Sequence, residues 1–260
     1  MPHIQSHSPG TPCWFELGTT DQNAAKAFYA AVFGWTATDN PMGPGEVYTM
    51  FHLEGRDTGG GYALSADMKA AGVPPHWMVY FATADCDASV ARAKELGGTV
   101  LNGPFDVMTF GRMAVLKDPT GATFSLWQPG DNKGTGIVQQ PGTVCWVEVN
   151  TWESAKCGEF YAQLLGAEQQ PETLSMGPYT FLAVGGKRFG GVLQMTKEWG
   201  EMPAHWMIYF QVADCDASAA KIKAAGGQIC HGPFDAPGVG RIAVCGDPQG
   251  TYFSIIALAG

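Results

Sequence analysis

The side chains of this chain that could do chemistry occur in two matching sets. Glu16 and Glu148 each stand two residues after a tryptophan, in the segments CWFE and CWVE. A carboxylate enclosed by tryptophan and methionine has a raised pKa unless a cation pairs with it, and such a carboxylate can act as a general base. Arg112 and Arg241 stand in matching later segments. We expect them to pair with the glutamates, either in a structural ion pair or in a grip on a polar ligand group.

Other side chains are predicted to point to the same inner face of the sheet as the glutamates, because successive residues of a strand point to opposite faces. They are Trp14, Met78, Tyr80 and Ser125 in the first half and Trp146, Met207, Tyr209 and Ser254 in the second. The tryptophans and methionines are expected to form apolar walls. The four hydroxyls could donate hydrogen bonds to a ligand or satisfy each other. Together with the glutamates and arginines, these side chains are the predicted ligand-binding set.

The two sets belong to a tandem duplication. The stretch HWMVYFATADCDAS at His76–Ser89 returns as HWMIYFQVADCDAS at His205–Ser218. The segment CWFELGTTDQNAAKAFY at 13–29 likewise answers CWVEVNTWESAKCGEFY at 145–161, and GPFD and DP-x-G also recur. The predicted organisation is a flexible N-terminal arm at residues 1–10, a first module at 11–128, a Gly/Pro-rich linker at 129–142 and a second module at 143–260.

Each module is predicted to contain two βαβββ units. In the first module, alternating and β-branched segments predict strands near residues 13–17, 35–38, 47–53, 59–64, 76–83, 99–102, 111–117 and 122–127. Helices are expected to begin after Thr20 or Asp21 and at the Asp-Cys-Asp of residues 85–87, and to end at glycines. One unit is too small to bury both faces of its sheet. Two together predict an α+β fold, in which a cupped eight-stranded mixed sheet has helices outside and a small-molecule pocket inside.

Composition and charge argue against several classes of partner. A chain of 260 residues with 45% hydrophobic and 15% charged residues is typical of a globular protein long enough for two domains. A net charge of −9 argues against nucleic acid or a membrane as the main partner, and no apolar run reaches the roughly 20 residues of a membrane span. Seven cysteines without a CxxC spacing, and no secretory signal, favour a reduced cytoplasmic protein. A small molecule is the expected partner, with the chain a monomer or a homodimer.

The repeated motifs resemble those of the vicinal oxygen chelate superfamily, which comprises glyoxalases, extradiol dioxygenases, and bleomycin- and fosfomycin-resistance proteins. The resemblance runs from Thr11 to Leu258. It is carried by D-x-x-x-A-x-x-FY and Phe-Gly after the first strand, by the D-x-D-x-x-x-A-x-x-x-x-Gly-Gly helix and by the DP-x-G hairpin. Paired modules with CW at the start and HWM in the middle are similar to a two-module actinobacterial-type group that is labelled glyoxalase-like or hydroxylase.

The resemblance also implies where a metal would lie, and this chain departs from the family there. The family's metal enzymes use a histidine on the first strand, a histidine on the fifth and a glutamate on the eighth. The matching positions hold Trp14, Met78 and Ser125 in the first module and Trp146, Met207 and Ser254 in the second. Tryptophan cannot ligate a divalent ion, and methionine and serine are poor ligands for zinc, nickel or iron. No cofactor is therefore predicted. The alternative is a divalent metal at a shifted site, for which the candidates are His76, His205, Glu16 and Glu148.

We therefore expect a protein that binds a small, partly aromatic organic molecule in its cup without a catalytic metal, as the drug-sequestering members of the superfamily do. The residues leave an enzyme open as the alternative, either a glyoxalase-type lyase or isomerase, or a hydroxylase or dioxygenase-like oxidoreductase. It would use the shifted metal site, or Glu16 or Glu148 as a catalytic base without a metal. A third alternative is that one module has lost its own site and serves only as a scaffold for the other.

Overall fold

Two eight-stranded sheets, one from each half of the chain, form the frame of the protein. The computed structural model describes residues 4–174 and 177–259. The first half contains β1 (Pro12–Thr19), α1 (Gln22–Phe33), β2 (Thr36–Gly43), β3 (Glu46–Leu53), β4 (Arg56–Ala63), α2 (Ala66–Ala70), β5 (His76–Ala82), α3 (Cys86–Glu95), β6 (Thr99–Val107), β7 (Gly111–Lys117) and β8 (Thr123–Pro129). The second half contains β9 (Val144–Thr151), α4 (Ser154–Leu165), β10 (Glu168–Leu174), β11 (Gly177–Val184), β12 (Lys187–Gln194), a 3-10 turn (Lys197–Trp199), β13 (His205–Gln211), α5 (Cys215–Ala224), β14 (Gln228–Ala236), β15 (Gly240–Gly246) and β16 (Tyr252–Leu258).

Both sheets have the same strand order and the same mixed pairing. The first sheet runs β2-β3-β4-β1-β5-β8-β7-β6, and the second runs β10-β11-β12-β9-β13-β16-β15-β14. Strand β1 pairs in parallel with β4 and antiparallel with β5, so the two βαβββ units of a module join along β1 and β5. The predicted α+β fold, with two tandem eight-stranded mixed sheets, is confirmed.

Helices α1, α3 and α5 begin at the aspartate caps that the sequence predicts, whereas α4 has no side-chain cap. The Asp21 carboxylate accepts hydrogen bonds from the backbone N–H groups of Asn23 and Ala24 at the start of α1. Gly34 ends this helix with a φ of 75°, a left-handed conformation that favours glycine. Asp85 caps α3 through its side chain. Helix α2 and the 3-10 turn are elements that the sequence does not predict. Among the described residues, no helix is long and apolar enough to cross a membrane.

One hydrophobic core joins the helix-bearing faces of the two sheets. Phe33 of α1 packs on Phe210 of β13, with ring centroids 4.7 Å apart. The double glycines after α3 and α5 leave space for aromatic rings of the other half. A Cβ on Gly227 would lie 2.8 Å from the Phe28 ring, and Gly98 makes the equivalent contact in the opposite direction. The two modules are therefore packed back to back through their helix-bearing faces. We refer to the opposite face of each sheet, which carries no helices, as its concave face, in keeping with the predicted cup.

Two reciprocal chains of hydrogen bonds cross this interface. Trp77 Nε1 donates to Tyr29 Oη at 2.9 Å, and Tyr29 donates to Asp247 Oδ2 of the other half at 3.1 Å. Because the indole N–H can only donate, the direction of the chain is fixed. The equivalent chain, which crosses in the opposite direction, consists of Trp206, Tyr161 and Asp118. We refer to these two buried chains as the interface clasps.

The described part of the segment before β1 contacts the linker. The backbone N–H of Ile4 donates to the carbonyl of Gly136 at 3.1 Å. His7 Nε2 lies 2.9 Å from the carbonyl oxygen of Thr135. These contacts with the linker are not apparent from composition, and the flexibility of the arm at residues 1–10 stays a prediction. Residues 1–3 of the predicted arm lie outside the described residues.

Candidate functional site

The register of the central strands determines which side chains line each cup. Across β5, Glu16 lies opposite Met78 and Gly18 lies opposite His76. Across β4, Glu16 lies opposite Gly60. Residues directly opposite each other in adjacent strands point to the same face. These positions therefore share the concave face, on the side of the sheet away from the helices.

Glu16 is held in the first cup by two tyrosines. Tyr48 donates to Glu16 Oε1 at 2.7 Å, and Tyr80 donates to Oε2 at 2.5 Å. Trp14 Nε1 donates to the Tyr48 hydroxyl at 2.9 Å, which leaves the Tyr48 proton for the carboxylate. Burial raises the pKa of Glu16, and the two phenol hydrogen bonds act in the opposite direction. The result is an enclosed carboxyl group with both oxygens fixed in position.

Glu148 is held in the same way in the second cup. Tyr209 donates to Glu148 Oε1 at 2.8 Å, and Trp146 Nε1 donates to the Tyr179 hydroxyl at 2.9 Å. Glu148 is only 6% exposed. Burial raises its pKa, and the hydroxyls of Tyr209 and Tyr179 lower it in part. Both halves therefore build the same tryptophan–tyrosine–glutamate group.

Tyr48 and Tyr179 are site residues that the sequence reasoning missed. The available signal was the repeated Tyr-Thr pair, at 48–49 and 179–180. Each ring lies flat over a glycine of the neighbouring strand. A Cβ on Gly60 would collide with Tyr48, and a Cβ on Gly191 would collide with Tyr179. These two glycines are therefore needed so that the tyrosines can reach the glutamates.

The predicted pairing of Arg112 and Arg241 with the glutamates is wrong. Arg112 contacts Asp87 of α3 with Nε at 2.7 Å, and its Nη1 lies 3.0 Å from Asp106. Arg241 makes the equivalent contacts in the second half, with Asp216 and Asp235. The register explains the error, because Val115 lies opposite Ser125 on the concave face, which places Arg112 in the opposite phase. Neither arginine lines a cup.

The other predicted residues form the floor of the cups. In the first cup, Trp14, Met78 and Tyr80 are buried in one cluster with Trp127, and Met113 packs at its partly exposed rim. The corresponding side chains of the second cup are Trp146, Met207 and Tyr209. Two open clefts of the described residues lie outside this floor, at the β10–β11 edge and beside the β6–β7 turn.

Ser125 and Ser254 are fully buried next to Tyr80 and Tyr209 on the neighbouring strands. The tyrosine hydroxyls are engaged by the glutamates, as described above. The Ser125 Oγ has no hydrogen-bond partner within residues 4–174 and 177–259. A buried hydroxyl without a partner is uncommon and costs free energy. Ser254 Oγ also has no partner among the described residues, so the floor of each cup contains a buried hydroxyl that the protein itself does not satisfy.

The donor set at the family's usual metal position does not fit a divalent ion. Trp14, Met78 and Ser125 lie on the three strands that would supply the ligands. An indole has no lone pair for a metal, and a thioether and a neutral hydroxyl are weak donors for zinc, manganese or iron. The second cup has the same three residue types at the equivalent positions, namely Trp146, Met207 and Ser254.

The shifted metal site fits no better. Both oxygens of Glu16 accept hydrogen bonds from tyrosines. The Nδ1 atoms of His76 and His205 lie 2.8 and 2.9 Å from backbone carbonyl oxygens. No three His, Cys, Asp or Glu side chains of the described chain are grouped so that they could hold a metal ion. Glu148 and its histidine therefore lack a third ligand, as the first pair does.

Comparison with known proteins gives a family for both halves of the chain. The model of the glyoxalase/bleomycin resistance protein/dioxygenase superfamily matches residues 12–126, and that of the glyoxalase-like domain matches residues 146–256. "Putative glyoxylase CFP32" of Mycobacterium tuberculosis is 40% identical over 261 residues, which cover 98% of both chains. "Anthracycline biosynthesis protein DnrV" of Streptomyces peucetius is 35% identical over 263 residues, which cover 96% of this chain and 94% of that protein.

Solved structures share the fold at low identity. The Mn(II)-bound glyoxalase from Novosphingobium aromaticivorans superposes with a TM-score of 0.64 at 15% identity, over 95% of this chain and 82% of that one. The 2,3-dioxygenase LapB from Pseudomonas superposes with a TM-score of 0.66 at 14% identity, over 100% of this chain and 94% of that one. At these identities the likeness concerns the fold alone.

Proposed function

Since the chain belongs to the glyoxalase/bleomycin resistance protein/dioxygenase superfamily, we propose that its cups bind a small, partly aromatic organic molecule without a catalytic metal. We place this binding in the cytoplasm, with the chain a monomer or a homodimer. The observation that carries the proposal is the enclosed carboxyl group of each cup. It is surrounded by aromatic rings and fixed by tyrosine hydroxyls, and no lysine or arginine of the described chain pairs with it.

The cup walls and the carboxyl group would contribute differently to binding. Burial of apolar ligand surface against tryptophan, tyrosine and methionine contributes about 25 cal/mol per Å². Ring contacts of suitable geometry add roughly 0.5–1.5 kcal/mol each. The carboxylate of Glu16 has about four acceptor positions, of which the tyrosines use two. A donor group of the ligand can use another, which would set its orientation.

The relatives suggest which aromatic molecules to test first. One is named for anthracycline biosynthesis and another for glyoxylase activity. Anthracyclines contain fused aromatic rings with hydroxyl and carbonyl groups, which match a cup of aromatic walls and buried polar atoms. An anthracycline aglycone and the smaller fused-ring phenol 2-naphthol are therefore suitable probes.

A metal-free enzyme is the second candidate, because burial raises the pKa of both Glu16 and Glu148. A carboxylate with a raised pKa is a stronger base and can remove a proton from a carbon next to a carbonyl group. That is the step required of a glyoxalase-type isomerase. Conversion of a hydroxycarbonyl probe by the wild-type protein, and its loss in glutamate-to-glutamine variants, would favour this candidate.

The test is a binding measurement with matched variants. Calorimetry and quenching of tryptophan fluorescence with the two probes compare the wild type, the double variant Glu16→Gln/Glu148→Gln and the control Glu95→Gln, whose side chain is 66% exposed. We expect the double variant to lose at least tenfold in affinity and the control to lose none. A probe at a hundredfold its Kd should stabilise the wild type by about 2.7 kcal/mol. Unchanged affinity in the double variant would show that the glutamates do not contribute to binding. Stoichiometric zinc, nickel, iron or manganese in protein purified without chelators would contradict the metal-free site.

A further inference from the structure

Gln22, the first residue of α1, connects that helix to the sheet of the first half. Its Nε2 atom donates to the carbonyl oxygens of Val47 and Gly61 at 3.1 and 3.2 Å, and to Thr49 Oγ1 at 3.2 Å. A carbonyl oxygen can only accept, so the nitrogen of the amide, and not its oxygen, must face these groups. The first half therefore contains a site for an NH₂ group and fills it with its own side chain.

The second half places equivalent residues around the same position. Thr180 lies opposite Val192 across β11 and β12, as Thr49 lies opposite Gly61 across β3 and β4. The third acceptor comes two residues before the threonine in each half, which is Pro178 in the second. Two of the three acceptors are backbone carbonyls, which are present whatever the residue type. We refer to Pro178, Thr180 and Val192 as the acceptor residues of the second half.

The side chain that fills this site in the first half is missing from the second. Ser154 is the first residue of α4 and stands where α1 has Gln22. A serine side chain is shorter than that of glutamine and has no amide nitrogen. An open cleft of about 290 Å³ lies at this place, and it is lined by Ser154 and by all three acceptor residues. The cleft therefore lies where the second half lacks the glutamine.

The amide group beside the start of α4 does not replace the missing NH₂. Gln194 accepts from the backbone N–H of Ser154 through Oε1 at 3.0 Å. Its Nε2 atom donates to the carbonyl oxygens of Trp152 and Met195, at 2.8 and 3.1 Å. The Thr180 hydroxyl has no hydrogen-bond partner within residues 4–174 and 177–259. Gln194 therefore does not take the place of Gln22, and the Thr180 hydroxyl is left for a ligand.

The acceptor residues select the class of ligand group. Several acceptors around one position require a group that donates more than one hydrogen from a single nitrogen, which excludes hydroxyls, carboxylates and tertiary amides. A primary amide and an ammonium group both meet this requirement. The cleft adjoins the N-terminus of α4, whose partial positive charge disfavours a cation. A neutral primary amide, which is the group that the first half uses, is therefore the better match.

We propose that this cleft binds a small molecule through an unsubstituted carboxamide group. The NH₂ of the ligand donates to the acceptor residues of the second half, as Gln22 Nε2 donates to their equivalents in the first. The proposal is independent of ligand binding in the cups, because Ser154 belongs to α4 and Val192 belongs to the core between the helix-bearing faces.

The test uses propanamide, which is the glutamine side chain with a hydrogen in place of Cα. Titration of the ¹⁵N-labelled wild type, followed by the backbone amide signals, should give saturable shifts around Thr180 and Val192. A molecule this small binds weakly, so we expect a Kd in the millimolar range. N,N-dimethylpropanamide keeps the carbonyl group but has no N–H, and it should bind about tenfold more weakly or less. Propylammonium tests whether a cation is preferred.

Two variants exchange the filled site and the open cleft. Ser154→Gln supplies the second half with its own amide and should weaken propanamide by about tenfold or more. Gln22→Ser should open the equivalent site in the first half and produce a second set of shifts around Thr49 and Gly61. The matched control is Lys156→Gln, which introduces the same residue two positions along α4, where the side chain is 51% exposed. It should leave the binding of propanamide unchanged.

Several results would overturn the proposal. They are the absence of saturable shifts around Thr180, equal affinity for the two amides, tighter binding of propylammonium than of propanamide, and unchanged affinity in Ser154→Gln. Melting temperatures show whether each variant is folded. If Gln22→Ser does not fold, the comparison of Ser154→Gln with Lys156→Gln still decides the matter. Propanamide shifts that Ser154→Gln removes and Lys156→Gln keeps would support the carboxamide site, whether or not the cups bind an aromatic ligand.

Discussion

The substitution Tyr161→Phe removes one oxygen atom from an interface clasp and leaves the ring in place. The Tyr161 hydroxyl accepts from Trp206 Nε1 at 2.8 Å and donates to Asp118 Oδ2 at 2.9 Å. All three side chains are buried. Because phenylalanine keeps the ring contacts, the change isolates the polar part of the contact between the two halves.

The expected cost follows from the two groups that lose their partner. Trp206 N–H is left in the core without an acceptor, which costs about 1–3 kcal/mol. Asp118 loses its donor from the other half, although the backbone N–H groups of Thr120 and Ala122 still bond its other oxygen and the Cys157 thiol lies 3.7 Å from Oδ2. That loss is about 1–2 kcal/mol. The free energy of unfolding should therefore fall by about 2–5 kcal/mol, out of the roughly 5–15 kcal/mol that is usual for a folded protein.

Denaturant unfolding, followed by both tryptophan fluorescence and circular dichroism, measures this loss. Tyr29→Phe changes the other clasp and should cost a similar amount, which makes it an independent repeat. Tyr252→Phe is the control, because Tyr252 is 55% exposed and its removal should change stability by less than about 0.5 kcal/mol. If Tyr161→Phe cannot be distinguished from Tyr252→Phe, the clasp does not stabilise the interface and the reasoning is refuted.

Two further predictions concern the cups. Gly191→Ala should push the Tyr179 ring away from Glu148, because the added Cβ would collide with that ring. We expect the free energy of unfolding to fall by about 1–3 kcal/mol and probe binding to weaken. An unchanged melting temperature would contradict this contact. Glu148→Gln tests the raised pKa of the buried carboxyl group, which holds its proton more tightly in the folded state than in the unfolded state. The wild type should therefore lose stability as the pH rises from the unfolded pKa of about 4.3 through the native pKa, by at most about 1.4 kcal/mol per pH unit. The stability of Glu148→Gln relative to the wild type should rise over the same window, and a difference that is independent of pH would show that burial does not perturb the carboxyl group.

Local patterns were sufficient to predict most of the fold. Strand β7 has the bounds that the sequence predicts, and the helix caps at Asp21 and Asp85 are formed as expected. The inward phase of Trp14 and Glu16 is also readable from sequence, because alternate residues of a strand share a face. These features depend on residues close in the chain, which is why the amino-acid order is enough to predict them.

Contacts between distant strands could not be predicted in this way. The pairing of Arg112 with Glu16 was inferred from complementary charge, whereas the helix α3 supplies a nearer carboxylate, that of Asp87, on the opposite face of the sheet. The role of Tyr48 depends on the register of β3 against β4, which places its ring over Gly60. Neither the register between two strands nor the helix that packs beside a given strand can be read from residue types alone.

The duplication explains why differences between the two halves point to function in the cups. At the interface, Tyr29 contacts an aspartate of the other half, and Tyr161 does so in return. A change on one side of this interface must fit an unchanged partner on the other, so the two halves constrain each other there. The faces away from the helices differ at a matching position, where Gly18 lies opposite His76 and Asn150 lies opposite His205. A single fold can in this way keep the same packing between its halves while the two cups carry different polar side chains, and both cups contain buried polar atoms without a partner, such as Ser125 Oγ and Ser254 Oγ.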